Sequence, residues 1–178
     1  LAATASLQRL AATERTSFAL RADGVVLQWG DCFGPVSYAP VTVSAPAGLS
    51  AIAAGSAHML ALRDDGTLYA WGENTSGQLG NASHQLTTTP VLVPNLAAMR
   101  TMAGGGLNNA LPETSFSLAA DAANGVLWSW GNNRYGQLGN GTITDRDLPD
   151  SLANLAGVVG LAAGEGHVLA RRADGTVW

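Results

Sequence analysis

The chain has 178 residues, and 47% of them are hydrophobic, so it is long and apolar enough to form a packed core. Only 12% are charged, all nine basic residues are arginine, and the net charge is −4. This argues against a nucleic-acid partner, because duplex binding normally requires clustered cations, and no apolar run of about 18 residues suggests membrane insertion.

Four turn dipeptides divide the chain at similar intervals, with their glycines 42, 59 and 50 residues apart. They are Asp23-Gly24, Asp65-Gly66, Asn124-Gly125 and Asp174-Gly175. Such dipeptides accept the positive φ angles of tight turns, and each joins two apolar runs of about five residues, which is strand length. The pattern predicts β-hairpins at a period of about 50 residues, which is typical of propeller blades.

The second strand of these hairpins carries large aromatic side chains. Trp29, Trp71 and Trp130 each follow a turn glycine by five residues. Alternation along a strand places Tyr69 on the same face as Trp71, and Trp178 falls on the position of Tyr69. We expect this face to pack between neighbouring sheets.

A short apolar segment precedes each hairpin and predicts a further strand. The units so defined start near residues 7, 49, 98 and 158. Pro-containing connections at 87–94 and 142–149 permit an edge strand but not a central one. Since no segment of about ten residues has a helical apolar stripe, the predicted class is all-β.

One eleven-residue element occurs twice, as residues 71–81 and 130–140, with eight identical positions. Self-similarity at this level indicates a repeated supersecondary unit. In the first unit, Trp29-Gly30 is followed by Asp31, Cys32 and Phe33, without the Gly-Gln-Leu-Gly sequence of the other copies. As the chain's single cysteine, Cys32 excludes an internal disulfide and is interpreted as a small buried side chain.

The Ala-Gly-x-x-His, Asp-Gly, Trp-Gly and Gly-Gln-Leu-Gly elements of residues 54–80 resemble the repeat of the regulator of chromosome condensation family. The resemblance implies a β-propeller of about seven four-stranded blades. Residues 1–178 would then form a single partial propeller domain of about three and a half blades. Neighbouring repeats outside this chain, or another copy, would be needed to close it.

Positions that recur with the repeat are interpreted as its structural signature. They are Gly24, Trp29, Gly55, His58, Gly66, Trp71, Gly72, Gln78, Gly80, Gly125, Trp130, Gly131, Gln137, Gly139, Gly164, His167 and Gly175. His58 and His167 share one repeat position but belong to separate units, so we expect a structural hydrogen-bonding role rather than a metal site.

Motifs for catalysis or cofactor binding are weak. Gly104-Gly105-Gly106 precedes no helix that could bind a phosphate, and no Gly-x-Ser-x-Gly nucleophile motif occurs. Asn74, Asn81 and Asn140 match the glycosylation pattern, but they lie inside the repeated element, so turn chemistry explains them without any sugar. We expect a protein that is not an enzyme and that has no cofactor.

Function is expected where the copies of the repeat differ, because the scaffold does not demand those residues. Arg134-Tyr135 replaces Thr75-Ser76, and arginine and tyrosine are common interface anchors. The candidate partner-binding residues are Phe33, Glu73, Asn132, Arg134 and Tyr135.

Three functional hypotheses remain open at this stage. The first is a non-enzymatic repeat scaffold that binds a protein partner through rim loops. The resemblance also implies an alternative, a guanine-nucleotide exchange factor for a small GTPase, as the founding member of the family is. A third hypothesis is a secreted or cell-surface module like bacterial propellers of similar repeat, and the low charge and absent lysine favour that extracellular setting.

Overall fold

A computed structural model of the chain describes residues 6–31, 33–107 and 114–178. Within these ranges every regular element is a β-strand. The interpretation of Cys32 as a buried side chain falls outside the described residues.

The strands form three four-stranded antiparallel sheets and one two-stranded sheet. Sheet 1 contains β1 (Leu7–Ala12), β2 (Thr16–Arg21), β3 (Val26–Asp31) and β4 (Val36–Thr42). Sheet 2 contains β5 (Leu49–Ala54), β6 (His58–Arg63), β7 (Leu68–Gly72) and β8 (Thr87–Leu92). Sheet 3 contains β9 (Met99–Gly105), β10 (Phe116–Asp121), β11 (Leu127–Gly131) and β12 (Arg146–Leu152), and sheet 4 contains β13 (Val158–Ala163) and β14 (Val168–Arg172).

Strand order within each four-stranded sheet follows the chain, as in propeller blades. The Pro-containing strands β4, β8 and β12 lie at the sheet edge, where a missing N–H costs no ladder hydrogen bond. The glycines of the four hairpin turns, Gly24, Gly66, Gly125 and Gly175, have φ angles of 80°, 81°, 64° and 89°. The all-β class and the three and a half propeller blades are therefore confirmed.

Sheet 4 follows the same register as the complete sheets. The backbone of Trp178 exchanges hydrogen bonds of 2.9 and 2.8 Å with that of Ala170. Tyr69 pairs with Ala61, and Trp128 with Ala119, at the corresponding position of sheets 2 and 3. Trp178 thus pairs with β14 at the position that Tyr69 and Trp128 hold in sheets 2 and 3.

The hydrophobic core lies between consecutive sheets rather than within one of them. Phe18 of sheet 1 meets Trp71 of sheet 2 edge-on, with ring centroids 6.0 Å apart. Leu60 of sheet 2 and Leu79 of the loop between β7 and β8 pack with Trp130 of sheet 3 in a second cluster. A third cluster joins sheet 3 to Val158 and Ala170 of sheet 4, so each sheet depends on its neighbour for burial.

A polar network crosses the junction of sheets 2 and 3. The Gln78 carbonyl accepts the Trp130 indole N–H at 2.9 Å and the Ser117 hydroxyl at 2.8 Å. Because this hydroxyl donates its hydrogen to Gln78, His58 Nε2, which lies 2.8 Å from Ser117 Oγ, carries the hydrogen that Ser117 accepts. His58 is fully buried, and its burial lowers the pKa from 6.5 to about 4.

We expect acid to weaken the fold through His58. As pH falls below 6.5, the unfolded chain binds a proton that the folded chain does not accept until about pH 4. The free energy of unfolding should therefore fall by roughly 3 kcal/mol across this window, while above pH 6.5 the contribution is fully present. Denaturant titrations between about pH 7 and pH 4 measure the effect.

His58→Phe should flatten this pH dependence, because Phe116 occupies the same position in sheet 3. His167→Phe is the matched control, since His167 holds the same repeat position but is exposed. An identical pH profile for the wild type and His58→Phe would contradict the assignment.

Candidate partner-binding rim

One end of the sheets carries all of the candidate partner-binding residues. In an antiparallel sheet whose strands follow the chain, the turn between the first two strands and the loop between the last two lie at the same end. We call this end the loop rim; it is formed by residues 13–15, 33–35, 55–57, 73–86, 106–107, 114–115, 132–145 and 164–167. Phe33 and Glu73 lie in the loops after β3 and β7, and the other three candidates follow β11.

The loop between β7 and β8 is built by two amide side chains of the repeated element. Asn74 Oδ1 accepts the Leu79 N–H at 2.9 Å, and Asn74 Nδ2 donates to the Ser83 carbonyl at 2.7 Å. Gln78 Oε1 accepts the Ser76 N–H at 2.9 Å. Asn74 and Gln78 have no exposed surface, so turn construction accounts for this part of the motif and Asn74 is not accessible for glycosylation.

The loop between β11 and β12 repeats this construction. Asn133 Oδ1 accepts the Leu138 N–H at 3.0 Å, and Asn133 Nδ2 donates to the Thr142 carbonyl at 3.0 Å. Gln137 Oε1 accepts the Tyr135 N–H at 2.9 Å. The two loops therefore share one backbone frame and differ in the side chains that this frame presents.

Asn132 differs from the expectation of an exposed contact residue, because it is only 4% exposed. Its Oδ1 accepts Gln137 Nε2 at 3.0 Å and the Arg134 N–H at 3.2 Å, while its Nδ2 donates to Asp145 at 3.3 Å. These bonds hold the loop together. The Asn132 side chain therefore stabilises the loop from its buried side.

Arg134 and Tyr135 are exposed side chains of the same loop. Tyr135 is 66% exposed, whereas Ser76 at the same repeat position is 8% exposed. The Arg134 guanidinium lies 5.8 Å from the Tyr135 ring centroid, which is a cation–π distance. The two copies also differ in their surroundings, since a Cβ atom at Gly77 would lie 2.7 Å from Asp147 Cα of β12, whereas a Cβ atom at Gly136 would meet the Thr142 carbonyl oxygen at 4.0 Å.

A cleft of about 220 Å³ opens on the rim between sheets 1 and 2. Phe33 and Glu73 both line it, together with Glu14, Arg15 and Asp31. Three acidic residues and one arginine therefore line the cleft, and Arg15 lies 3.9 Å from Asp31 in an exposed ion pair. The cleft is acidic, and it lies between two complete sheets.

Phe33 has a packing role as well as a position on the cleft. Its φ angle is 55°, which is unusual for a bulky residue, and its ring stacks on Phe18 at a centroid distance of 6.1 Å. Phe18 also contacts Trp71, so Phe33 extends the aromatic cluster to the rim. In the first unit it covers this junction in place of the missing Gly-Gln-Leu-Gly loop.

Signature residues lie at the junctions between sheets. Trp71, Trp130, His58 and Gln78 are fully buried, Gln137 is 6% exposed, Trp29 is half-buried and His167 is exposed. A Cβ atom at Gly55 or Gly164 would lie 2.1 or 2.3 Å from the ring of His58 or His167, so the small residue makes room for the imidazole. The remaining signature glycines have positive φ angles and are Gly24, Gly66, Gly72, Gly80, Gly125, Gly131, Gly139 and Gly175.

Sequence reasoning missed Glu14 and Arg15, which reach the cleft from the turn between β1 and β2. In the sequence, only the comparison between units marks them, because Glu14-Arg15 aligns with Ser56-Ala57 of the second unit. It also missed Ser117, whose hydroxyl links His58 to Gln78.

Other kinds of site find no support in the part of the chain that the structure describes. There, no group of three or more His, Cys, Asp or Glu side chains is arranged to hold a metal ion. Among the same residues, no helix is long and apolar enough to cross a membrane.

Comparison with known proteins identifies the repeat. The family model for the regulator of chromosome condensation (RCC1) repeat matches residues 65–110 and 124–171, and a second model of that repeat matches residues 50–78. The RCC2 homologue of Xenopus laevis is 45% identical over 56 residues, which are 30% of this chain and 11% of that protein. The probable E3 ubiquitin-protein ligase HERC4 of Rattus norvegicus is 33% identical over 111 residues, which are 60% of this chain and 10% of that protein.

Solved structures show the same fold. The structure of Prp20p from Saccharomyces cerevisiae superimposes with a TM-score of 0.79 and 21% identity, covering 92% of this chain and 43% of that one. The chain thus spans about a tenth of the curated relatives it matches and less than half of this solved propeller. With the repeat model matched over more than half of its length, the chain belongs to the regulator of chromosome condensation (RCC1) repeat family.

Proposed function

We propose that this chain is a non-enzymatic repeat scaffold that binds a protein partner through its loop rim. The observation that carries the proposal is that one loop frame occurs twice and holds Arg134 and Tyr135 in one copy but Thr75 and Ser76 in the other. Two loops with the same backbone and different side chains are what we expect where a binding site has been added to a scaffold. The ring and guanidinium also have the chemistry of interface anchors.

The negative charge of the cleft on the rim favours a partner with a basic segment. Glu14, Asp31 and Glu73 outnumber Arg15 in the cleft between sheets 1 and 2. Complementary charge speeds association and favours the correct partner over others. The Prp20p structure is described together with binding to Gsp1p and to histones, and histones are basic. These two proteins are therefore suitable first probes.

The double substitution Arg134→Thr and Tyr135→Ser tests the proposal, because it gives the third unit the residues of the second. We expect the affinity for a bound probe to fall by at least about tenfold, measured by biolayer interferometry with histones and Gsp1p. Thermal unfolding should change little, since both side chains are exposed. Thr75→Ala is the matched control on the other copy of the loop.

Unchanged affinity of the double variant would contradict a role for this loop. Failure of the wild type to bind either probe would contradict the proposed partner class. Binding that weakens as salt rises is expected if the acidic cleft contributes, because exposed charges are screened.

A second candidate function is guanine-nucleotide exchange on a small GTPase, which the Gsp1p binding described for Prp20p favours. Faster release of labelled GDP from Gsp1p in the presence of this chain would support exchange. An unchanged release rate with the full-length protein would reject it. The match covers only 10% of HERC4, so we do not propose the ligase activity of that protein for this chain. An extracellular or cell-surface setting remains a prediction from composition.

A further inference from the structure

The two copies of the repeated loop differ at two positions that lie side by side. In the loop between β7 and β8, His84 Nδ1 lies 3.1 Å from the Thr75 carbonyl oxygen. The loop between β11 and β12 has the same backbone frame, and its residues at these two positions are Ile143 and Arg134. The third unit therefore places a guanidinium next to a branched apolar side chain, where the second unit has a hydroxyl and an imidazole.

Both positions are accessible even where the following sheet is in place. Sheet 3 lies against the loop between β7 and β8, since the Ala82 N–H donates to the Asp147 carbonyl of β12 at 2.9 Å. Thr75 and His84 are nevertheless exposed. A neighbouring sheet thus leaves this pair of positions free to meet a partner, and the shared frame extends this conclusion to the loop between β11 and β12.

Ile143 combines an exposed side chain with an anchored backbone. The residue is 74% exposed. The buried Asn133 Nδ2 donates to the carbonyls of Thr142 and Thr144, at 3.0 and 3.1 Å, so the residues on both sides of Ile143 are held in place. An apolar side chain on such a backbone loses little conformational freedom when a partner covers it. Ile143 is therefore suited to be a contact residue.

Arg134 supplies a positive charge without an intramolecular counter-ion. Among the residues that the structure describes, no carboxylate forms an ion pair with its guanidinium. Asp145 of the same loop is bonded instead to the Asn133 N–H at 2.7 Å and to Asn132 Nδ2 at 3.3 Å. A guanidinium can donate two parallel N–H bonds to a carboxylate. The surface formed by Arg134 and Ile143 therefore fits an acidic group that lies beside an apolar one.

We propose that Arg134 and Ile143 form a contact site for a partner segment in which an acidic side chain is next to a branched apolar one. The carboxylate pairs with the guanidinium, and the apolar side chain covers Ile143. This inference rests on the function proposed for the loop rim and names the chemistry that one of its loops recognises. The acidic cleft lies between sheets 1 and 2, so a basic segment bound there would belong to a different part of the partner.

Three short peptides separate the contribution of charge from that of apolar contact. The first has a leucine between two glutamates, the second has lysine in place of glutamate, and the third has glycine in place of leucine. In NMR titrations of the 178-residue chain, the first should shift the Ile143 methyl and Arg134 side-chain resonances with a Kd of about 1 mM. The other two should bind at least about threefold more weakly, because each lacks one contact. Equal shifts from all three peptides, or no shift at Ile143, would overturn the proposal.

The loop between β7 and β8 provides a matched control and a gain-of-function test. With Thr75 and His84 in place, it should show no shift with any of the peptides. The double variant Thr75→Arg and His84→Ile gives it the residues of the other copy, so the first peptide should then shift resonances in both loops. Circular dichroism establishes that the variant folds. A folded variant whose altered loop does not respond would overturn the proposal.

The test separates failure of this inference from failure of the function proposed for the rim. Ile143→His gives the third unit the residue of the second and should weaken the binding of Gsp1p or histones by at least about threefold. If Arg134→Thr with Tyr135→Ser weakens that binding while Ile143→His does not, the rim function stands and the contact site is overturned. If neither protein binds but the first peptide gives the expected shifts, the choice of partner is wrong and the recognition chemistry is supported.

Discussion

Replacing Trp130 with alanine should lower the free energy of unfolding by about 3–5 kcal/mol, among the largest effects of any single substitution in this chain. The indole is fully buried in the cluster that joins sheets 2 and 3, and alanine would leave a cavity there. The substitution also removes a donor from the Gln78 carbonyl, which keeps the Ser117 hydroxyl as a partner. Urea denaturation followed by circular dichroism measures the loss.

Trp29→Ala is the matched control, because Trp29 holds the same repeat position in sheet 1 but is half-buried. We expect it to cost roughly half as much or less, since less apolar surface is lost from the core. A cost below about 1 kcal/mol for Trp130→Ala would show that the ring is exposed in solution and that the proposed packing of the sheets is wrong.

Gly131→Ala should destabilise the chain by more than about 3 kcal/mol, through backbone strain and a steric clash together. The φ angle of Gly131 is 98°, and a Cβ atom there would lie 2.7 Å from Phe116 Cα and 2.8 Å from the Ser115 carbonyl oxygen. Both contacts are with backbone, which cannot move as a flexible side chain can. The same clash recurs at Gly30 and Gly72, so it follows from the Trp-Gly sequence itself.

Gly141→Ala separates the two causes. Its φ angle is also positive, at 74°, but a Cβ atom there has no neighbour within 4 Å. It should cost about 1–2 kcal/mol from strain alone. Thermal unfolding of both variants measures the difference, and equal costs would contradict the close approach at Gly131.

Much of this fold could be predicted from the sequence because turn chemistry and alternation act locally. Asp65-Gly66 and its counterparts fix the hairpins, and Pro90 marks an edge strand. Recurrence of the Trp-Gly element then assigned the strands to repeated units. These local patterns do not depend on which residues pack across the junction between two sheets.

The candidate site could be predicted only in part, because exposure depends on long-range packing. The position of Asn132 is occupied by a different residue in the other copy of the repeat. The Asn132 side chain is nevertheless buried and hydrogen-bonded to Gln137 and Asp145. The cleft joins Glu14 to Glu73 across two sheets, a distance in sequence that no local pattern spans. Likewise, Gly80 and Gly139 read identically in the sequence, yet a Cβ atom would lie 2.7 Å from Trp130 Nε1 at Gly80 and 3.4 Å from Leu152 Cδ1 at Gly139.

Hydrogen exchange of the tryptophan side chains tests most directly the claim that sheets 2 and 3 are joined by the Trp130 indole, which packs against Leu79 and bonds to the Gln78 carbonyl. In ¹⁵N-labelled protein, with resonances assigned by Trp→Phe variants, the Trp130 indole N–H should be strongly protected, because it is buried and bonded to the Gln78 carbonyl at 2.9 Å. The Trp178 ring is 66% exposed, so its N–H should exchange rapidly in the same sample. Rapid exchange at Trp130 under native conditions would contradict the account.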